Sequence, residues 1–326
     1  MKNLENNWGI SSDFLINEAK QLGFEVEIVE KNKSLFYLIK NDKKILCKNI
    51  DCGLNSSLAF KISEDKELSY SLLEKHNLAV PKSMYTNKWE DTEINIDFPL
   101  VVKPVDGAHG DGVTVDIKNK DRLEKALNFS YSFSNRAIVQ NYITWDDHRV
   151  LIIGGKFVAA TRRVPAFVIG DGENSIEKLI ALENTNNDLR GDGHSKPMSY
   201  IKIDEELETY IQEQRLGMDS IPLENEQIFV RRNANLSTGG MAQDVTDIIH
   251  PQVIKTAIKA ANICELQVAG VDILTSNISK SLEETGGVII EVNATPGLRM
   301  HYYPTEWTWR NAALPIVKLI EEKYFS

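Results

Sequence analysis

The segment that most constrains this chain is Asp106-Gly107-Ala108-His109-Gly110-Asp111-Gly112. Three glycines in six positions let a backbone approach a ligand closely and turn its N–H groups toward it. The apolar run Phe98-Pro99-Leu100-Val101-Val102-Lys103 predicts a short buried strand before the loop. The alternating Val113-Thr114-Val115-Asp116-Ile117 predicts a second strand after it. A loop that joins two strands excludes two familiar phosphate cradles. The P-loop carries Lys after its last glycine and opens a helix, whereas Gly112 is followed by Val113-Thr114. The dinucleotide fingerprint fails on spacing, with glycines at 107, 110 and 112 and no helix following. A plain glycine-rich hairpin turn would also explain these residues. Lys103 weighs against it, because a lysine that closes an apolar strand just ahead of such a loop is badly placed unless an anion compensates it.

Composition narrows the class. A length of 326 residues suggests about two structural units. With 42% hydrophobic and 26% charged residues the chain can build a core, which excludes intrinsic disorder. The net charge of −10 argues against a nucleic-acid partner, since phosphate neutralisation needs clustered Lys and Arg. Apolar runs such as Val150–Ile153 fall far short of the ~20 residues of a membrane span, and Met1-Lys2-Asn3-Leu4-Glu5 does not resemble a signal peptide. Cys47, Cys52 and Cys264 cannot all pair, and no Cys-x-x-Cys occurs. A reduced cytoplasmic setting follows, with no membrane partner. Cys264 reads as a core residue rather than a nucleophile.

The pattern divides the chain into three. Residues 1–64 read as a short N-terminal α/β unit: a helix over Asp13–Leu22 with Gly23 as its C-cap, a strand over Phe24–Val29, and a hairpin turning at Asn41-Asp42. Residues 65–144 hold a helix capped by Asp65, the glycine-rich loop, a helix over Asp121–Phe129 and a strand over Ala137–Ile143. Residues 145–326 begin with an antiparallel pair turning at Gly154-Gly155. A polar stretch from 183 to 226 follows, read as a mobile surface excursion with one helix, Glu205–Gln214. A helix from Pro251, strands Gly270–Leu274 and Val288–Val292, and a last helix Leu314–Tyr324 complete the unit.

Two groups of polar residues sit where strands should be apolar. Glu291 and Asn293 alternate by two on one strand, so they share a face, and Asp272 interrupts a neighbouring apolar strand. Hard oxygen ligands so placed suit Mg²⁺ bridging phosphates, although outward-facing strand residues would look the same. Arg149 and Arg163 fall on successive strands of the hairpin, and Arg231 or Arg232 on a third. Their planar forks suit phosphate and carboxylate groups.

These strings resemble the ATP-grasp ligases, and among them the central ATP-grasp module of the cyanophycin synthetases. The resemblance rests on Lys103-Pro104-Val105-Asp106-Gly107-Ala108-His109-Gly110, Asp146-Asp147-His148-Arg149 and Arg162-Arg163-Val164-Pro165-Ala166. It continues through Arg231-Arg232-Asn233-Ala234-Asn235-Leu236-Ser237-Thr238-Gly239-Gly240 and Pro296-Gly297-Leu298-Arg299-Met300-His301. Glutathione synthetase and D-alanine–D-alanine ligase share the pattern in weaker form. The resemblance implies an α/β (α+β) ATP-grasp fold in which two units grip ATP. It also implies amide-bond formation through an acylphosphate, with ADP and phosphate as products and amino acids or short peptides as substrates.

The resemblance further implies roles. Lys66 and Lys103 would contact the nucleotide phosphates together with the loop glycines Gly107, Gly110 and Gly112. Gln140, Asn141 and Ile143 would lie at the adenine, although the family often has Glu where Gln140 stands. His109 would reach the γ-phosphate or acylphosphate. Arg149, Arg163, Arg231 and Asn235 would act on the transferring phosphoryl group, and Asp272, Glu291 and Asn293 would hold two Mg²⁺ or Mn²⁺ ions. Substrate would meet His148, Arg299 and His301, with Ser11 and Ser12 at a helix N-terminus receiving an acceptor carboxylate. A serine N-cap is the bland alternative for the last two. Relatives of this kind commonly self-associate, which makes a homo-oligomer the expectation. No second phosphate loop appears by Ser326, so a single ligation is expected. An ATP-grasp kinase and a non-catalytic ATP-binding module share the same nucleotide site and are the alternatives. The 183–226 stretch and Trp307-Thr308-Trp309 are the natural places for specificity to differ.

Overall fold

A computed structural model describes residues 9–88, 93–106, 112–192, 196, 198–305 and 308–326. The first helix, Ile10–Gln21, starts from an extended Gly9 N-cap. Three antiparallel strands follow, Glu25–Glu30, Leu35–Lys40 and Lys43–Lys48. Asn41 and Asp42 both take positive φ, 51° and 59°, the requirement for a two-residue hairpin that matches strand twist. Leu15, Phe36, Leu38 and Cys47 pack against Ile316, Val317 and Ile320 of the last helix, Ala313–Tyr324. Leu151 and Ile153 of the large sheet complete that core, so this unit sits directly on the sheet.

The small sheet runs in the order Ser83–Asn87, Arg136–Asn141, Leu100–Pro104, Thr114–Ile117, all antiparallel. Leu123 and Ala126 of the helix Lys120–Ser130 pack on Leu100, Val102, Ile117, Ala137 and Val139 from one face.

Among the described residues the large sheet has five antiparallel strands, ordered Met241–Asp244, Lys156–Val164, Asp146–Ile153, Val268–Thr275, Val288–Asn293. Gly154 and Gly155 make its first hairpin turn, again with positive φ at both positions. Val150, Ile152, Val271 and Ile273 point to one face and pack on Val253, Ala257, Ala260 and Ala261 of the helix Pro251–Ile263. Arg149 and Asp272, opposite each other in register, therefore point to the other face. A β-bulge adds a decisive detail. Ile289 pairs with Ile273 and is in the core, yet Glu291 pairs with Asp272. The extra residue, Ile290, shifts the alternation so that Glu291 shares the Asp272 face.

Between the Lys156–Val164 and Met241–Asp244 strands lies an insert with a core of its own. Ile176 and Ile180 from the helix Ile176–Asn186 meet Leu207 and Ile211 from the helix Glu205–Glu213, over Ile228 and Val230. Leu207 and Ile211 lie inside the polar 183–226 stretch, one turn apart on the helix expected there, whereas Ile176 and Ile180 precede it. The helix expected over Glu205–Gln214 is present as Glu205–Glu213, and its apolar stripe packs into this core. Among the described residues no helix is long and apolar enough to cross a membrane.

Candidate active site

A cleft of 1110 Å³ opens where the N-terminal unit, the small sheet, the insert and the polar face of the large sheet meet. One side carries the lysines. Lys66 opens the helix Lys66–Lys75, which Asp65 caps by accepting from the Glu67 and Leu68 N–H groups at 2.9 and 3.1 Å. Its side chain is buried, and its Nζ lies 3.3 Å from Glu291 Oε1. Lys103 is the fourth of the five residues of the strand Leu100–Pro104 and donates to the Tyr70 hydroxyl at 3.4 Å. Burial lowers the Lys103 amine to about 8, because the nearby Glu291 and Asp272 charges restore only part of what desolvation removes. Tyr70, one turn along the helix from Lys66, is 1% exposed and donates to the Ile290 carbonyl at 2.6 Å. It ties the helix to the bulge, a role that sequence reading did not assign.

The floor of the cleft is an ion cluster. Asp272 receives both forks of Arg149, with Nη2 to Oδ2 at 2.8 Å, and a further bond from Arg163 Nη2 at 2.8 Å. Arg163 also holds Asp147 at 2.7 Å. Burial alone would raise the Asp272 carboxyl, but the two guanidinium groups outweigh it and hold it below the usual carboxylate range. Gly270 makes room for this: a Cβ there would come within 2.8 Å of Arg149 Cδ and 2.7 Å of Pro296 Cβ. Asp147 is the member that sequence reading left out of the site, although it lies two residues from Arg149 on the same face.

Glu291 and Asn293 line the cleft beside this cluster, with Asn293 Nδ2 donating to Glu291 Oε2 at 3.2 Å. Among the described residues no three Asp, Glu, His or Cys side chains converge as a metal site. Mg²⁺ typically takes one or two protein carboxylates and completes its shell with phosphate and water, so Glu291 with Asn293 fits it. Asp272 stands behind them with both oxygens already bonded to arginine, and an ion could only share it.

The remaining candidates divide. Gln140, Asn141 and Ile143 line the cleft, but the Gln140 amide donates to Ser83 Oγ at 2.7 Å, so its side chain is occupied within the small sheet. Gly112 has φ 69°, and a Cβ there would come within 2.7 Å of Pro104 and Phe133, so glycine is required. Gly107, His109 and Gly110 lie outside the described residues, as does Trp307.

Arg231 and Asn235 line the cleft. Arg231, however, is 2% exposed and donates to Asp204 Oδ2 at 2.6 Å, Glu206 Oε2 at 3.1 Å and the Lys202 carbonyl at 2.7 Å. It anchors the start of the Glu205–Glu213 helix. The neighbouring Arg232 pairs with Asp116 and Glu213 and lies over the Tyr210 ring, a group with no sequence signature because its contacts join distant segments. Arg299 lines the cleft and donates to the Lys196 carbonyl at 3.2 Å and Ser199 Oγ at 3.4 Å.

His148, His301 and Ser12 stand outside the cleft lining, and Ser11 stands in it. His148 does not line the cleft; strand alternation turns it to the face opposite Arg149, where its Nδ1 lies 3.1 Å from the Asp146 carbonyl and burial lowers its imidazole to about 4. His301 is 1% exposed and also absent from the lining, with burial lowering it to about 3. Ser11 and Ser12 do not cap the first helix, since Gly9 is the N-cap. Ser11 lines the cleft from the first turn and accepts from the Leu298 N–H at 3.1 Å, whereas Ser12 is buried and donates to Asn49 Oδ1 at 3.2 Å.

Known proteins resemble this chain in sequence and fold. The RimK-like ATP-grasp domain matches residues 63–168 and 225–313, leaving out most of the insert. The cyanophycin synthetase of Crocosphaera subtropica is 39% identical over 269 residues, covering 81% of this chain and 31% of that protein. The bifunctional glutathione biosynthesis protein of Clostridium perfringens is 31% identical over 318 residues, covering 95% of this chain and 41% of that protein. This chain thus spans about a third of the length of the first relative and two-fifths of the second. The crystal structure of a bifunctional glutathione synthetase from Pasteurella multocida superposes with a TM-score of 0.70 at 26% identity, over 97% of this chain and 44% of that one. The fold is ATP-grasp, and the chain belongs to the RimK-like ATP-grasp family.

Proposed function

We propose that the chain joins a carboxylate to an amine at the expense of ATP, with an amino acid or short peptide on at least one side. The carboxylate oxygen attacks the γ-phosphorus, the bond to ADP breaks, and the amine then displaces phosphate from the acylphosphate to leave an amide. The observation that carries this reading is the approach of Lys66 to Glu291 at 3.3 Å. It brings a cation fit for phosphate and a hard oxygen fit for metal to one point between the small and large sheets. A cleft of 1110 Å³ exceeds the ~300–1,000 Å³ typical of a single small ligand, which suits a nucleotide together with a second substrate.

Lys66 and Lys103 hold the phosphates and follow charge as it moves toward the β–γ bridge. Arg149 and Arg163 face the reacting centre and stabilise the phosphoryl group and the tetrahedral intermediate, while Asp272 and Asp147 fix their forks. Mg²⁺ or Mn²⁺ held by Glu291 and Asn293 would neutralise phosphate charge. Gly9 and Ser11, at a helix N-terminus facing the cleft, are placed to receive an acceptor carboxylate. The names of the two relatives point to amino acid and peptide substrates.

The test is phosphate release across a matrix of amino acids and short peptides. ADP and phosphate should form in equal amounts with the right pair, and hydroxylamine should trap the acylphosphate. AMP and pyrophosphate as products would overturn the reading, and phosphate transfer without a trappable acyl group would replace it with a kinase.

A further inference from the structure

Arg136, at the start of the inner strand Arg136–Asn141, gathers carboxylates from two other segments. Its Nη1 donates to Glu67 Oε2 at 2.6 Å, and its Nη2 to Asp65 Oδ2 at 2.8 Å and Asp106 Oδ1 at 3.3 Å. The backbone follows the same path. The Val105 N–H donates to the Arg136 carbonyl at 3.1 Å, and the Lys66 N–H reaches the Val105 carbonyl at 3.5 Å. Ser134 Oγ accepts from the Arg136 N–H at 3.1 Å and donates to Asp106 Oδ2 at 3.0 Å.

These contacts join two elements that matter to the cleft. Asp65 spends one carboxylate oxygen on capping the helix and gives the other to Arg136, so the guanidinium fixes the first turn on which Lys66 rides. Asp106 lies three residues beyond Lys103 on the segment that leaves the same strand. Arg136 itself is not among the residues lining the cleft. Its side chain is 38% exposed, and ion pairs this accessible add little to stability. The network is therefore poorly explained as a device for holding the fold. Its effect falls on where the two lysines stand, and on three carboxylates that would otherwise repel an incoming polyphosphate.

We propose that Arg136 is a positioning residue for the nucleotide phosphates: it holds the Lys66 helix and the Lys103–Asp106 segment in one frame and cancels the acid beside them. This rests on the nucleotide reading given above.

The experiment is calorimetric titration of Mg·ATP into wild type, Arg136→Gln, Asp65→Asn and the double variant, each with a urea unfolding curve. Asn caps a helix about as well as Asp, so Asp65→Asn removes the charge and keeps the cap. Arg136→Gln should weaken Mg·ATP about tenfold, as expected for coupled neighbours, with little change in the unfolding midpoint. The double variant should be no weaker than Arg136→Gln alone. Wild-type affinity in Arg136→Gln, or losses that multiply in the double variant, would overturn the proposal. Should Arg136→Gln not fold, Arg136→Lys, which keeps the charge but cannot bridge three carboxylates, takes its place with the same outcomes. A wild-type chain that does not bind Mg·ATP would overturn the function itself and this proposal with it, before any substitution is compared.

Discussion

Arg149 and Asp272 stand opposite each other on adjacent strands and form a two-pronged pair that is almost wholly buried. Arg163 adds a further bond to the same carboxylate. Removing Asp272 would leave two guanidinium groups facing each other without their shared counter-ion. Asp272→Ala should lower unfolding free energy by about 3–5 kcal/mol, the usual cost of breaking a buried pair from one side. Urea denaturation measures it, and a loss below about 1 kcal/mol would mean the arginines find other partners. Replacing Gly270 by Ala should act in the same direction, because its Cβ would press on Arg149 Cδ.

Glu291 gives the contrasting case. Its side chain is 27% exposed at the cleft, and its neighbours are Lys66 and Asn293 rather than a buried network. Glu291→Ala should leave the fold intact and abolish Mg²⁺-dependent turnover. Circular dichroism together with phosphate release checks both halves, and full activity in the variant refutes the metal assignment.

Lys103 predicts a pH dependence. Its amine is lowered to about 8 by burial, so the free protein loses that charge as pH rises through 8. ATP phosphates favour the protonated form, so binding above pH 8 should take up a proton. Affinity for Mg·ATP should fall about tenfold between pH 7 and pH 9. Titrations in two buffers of different ionisation enthalpy measure the proton uptake, and Lys103→Met should remove the slope. An equal slope in that variant assigns the titration elsewhere.

What could be read from sequence followed local rules. Two-residue turns at Asn41-Asp42 and Gly154-Gly155 have the positive φ such turns require, and Asp65 caps its helix as read. Alternation carried further than it was applied: it already placed Asp147 beside Arg149 and His148 on the opposite face. Other features were out of reach because no local pattern encodes them. The bulge at Ile290 depends on the pairing of two strands, and without it strict alternation would set Glu291 on the same face as Ile289. Arg231 lines the cleft, and its bonds to Asp204 and Glu206 across the insert are contacts that no local pattern encodes. The core of that insert joins Ile176 and Ile180 to Leu207 and Ile211 on a helix about thirty residues later, a packing that no local pattern encodes.

Two buried histidines, His148 and His301, predict acid sensitivity. His148 and His301 are lowered to about 4 and about 3 in the folded protein, against about 6.5 when unfolded. Both stay neutral when folded while the unfolded chain takes up protons below pH 6.5. Their contribution is fully present above pH 6.5 and is lost as pH falls toward 4. Between pH 7 and pH 5 each should subtract about 2 kcal/mol from unfolding free energy. His301→Met should flatten about half of that dependence in urea titrations. An unchanged slope would mean that this ring is protonated in the folded protein.

An ion network also joins the small unit to the insert beside the cleft. Arg122 of the small unit holds Glu213 of the insert at 2.6 Å, Glu213 also pairs with Arg232, and Arg232 reaches back to Asp116 at 3.4 Å. Arg232 lies 4.6 Å over the Tyr210 ring, and the Tyr142 hydroxyl is raised chiefly by burial, with smaller contributions from Asp116, Arg232 and Tyr210. The strand leading to Tyr142 is the one the family resemblance assigns to adenine. If a nucleotide base lies beside Tyr142, parting Glu213 from Arg122 loosens the insert that borders it. Glu213→Gln should therefore speed release of a fluorescent ATP analogue by about three- to tenfold, and wild-type release should quicken with added salt. Amide hydrogen exchange over 205–213 should rise in the same variant, because the helix loses its tie to the small unit. Release rates and exchange that both stay at wild-type values would show that the insert closes on the small sheet through packing alone.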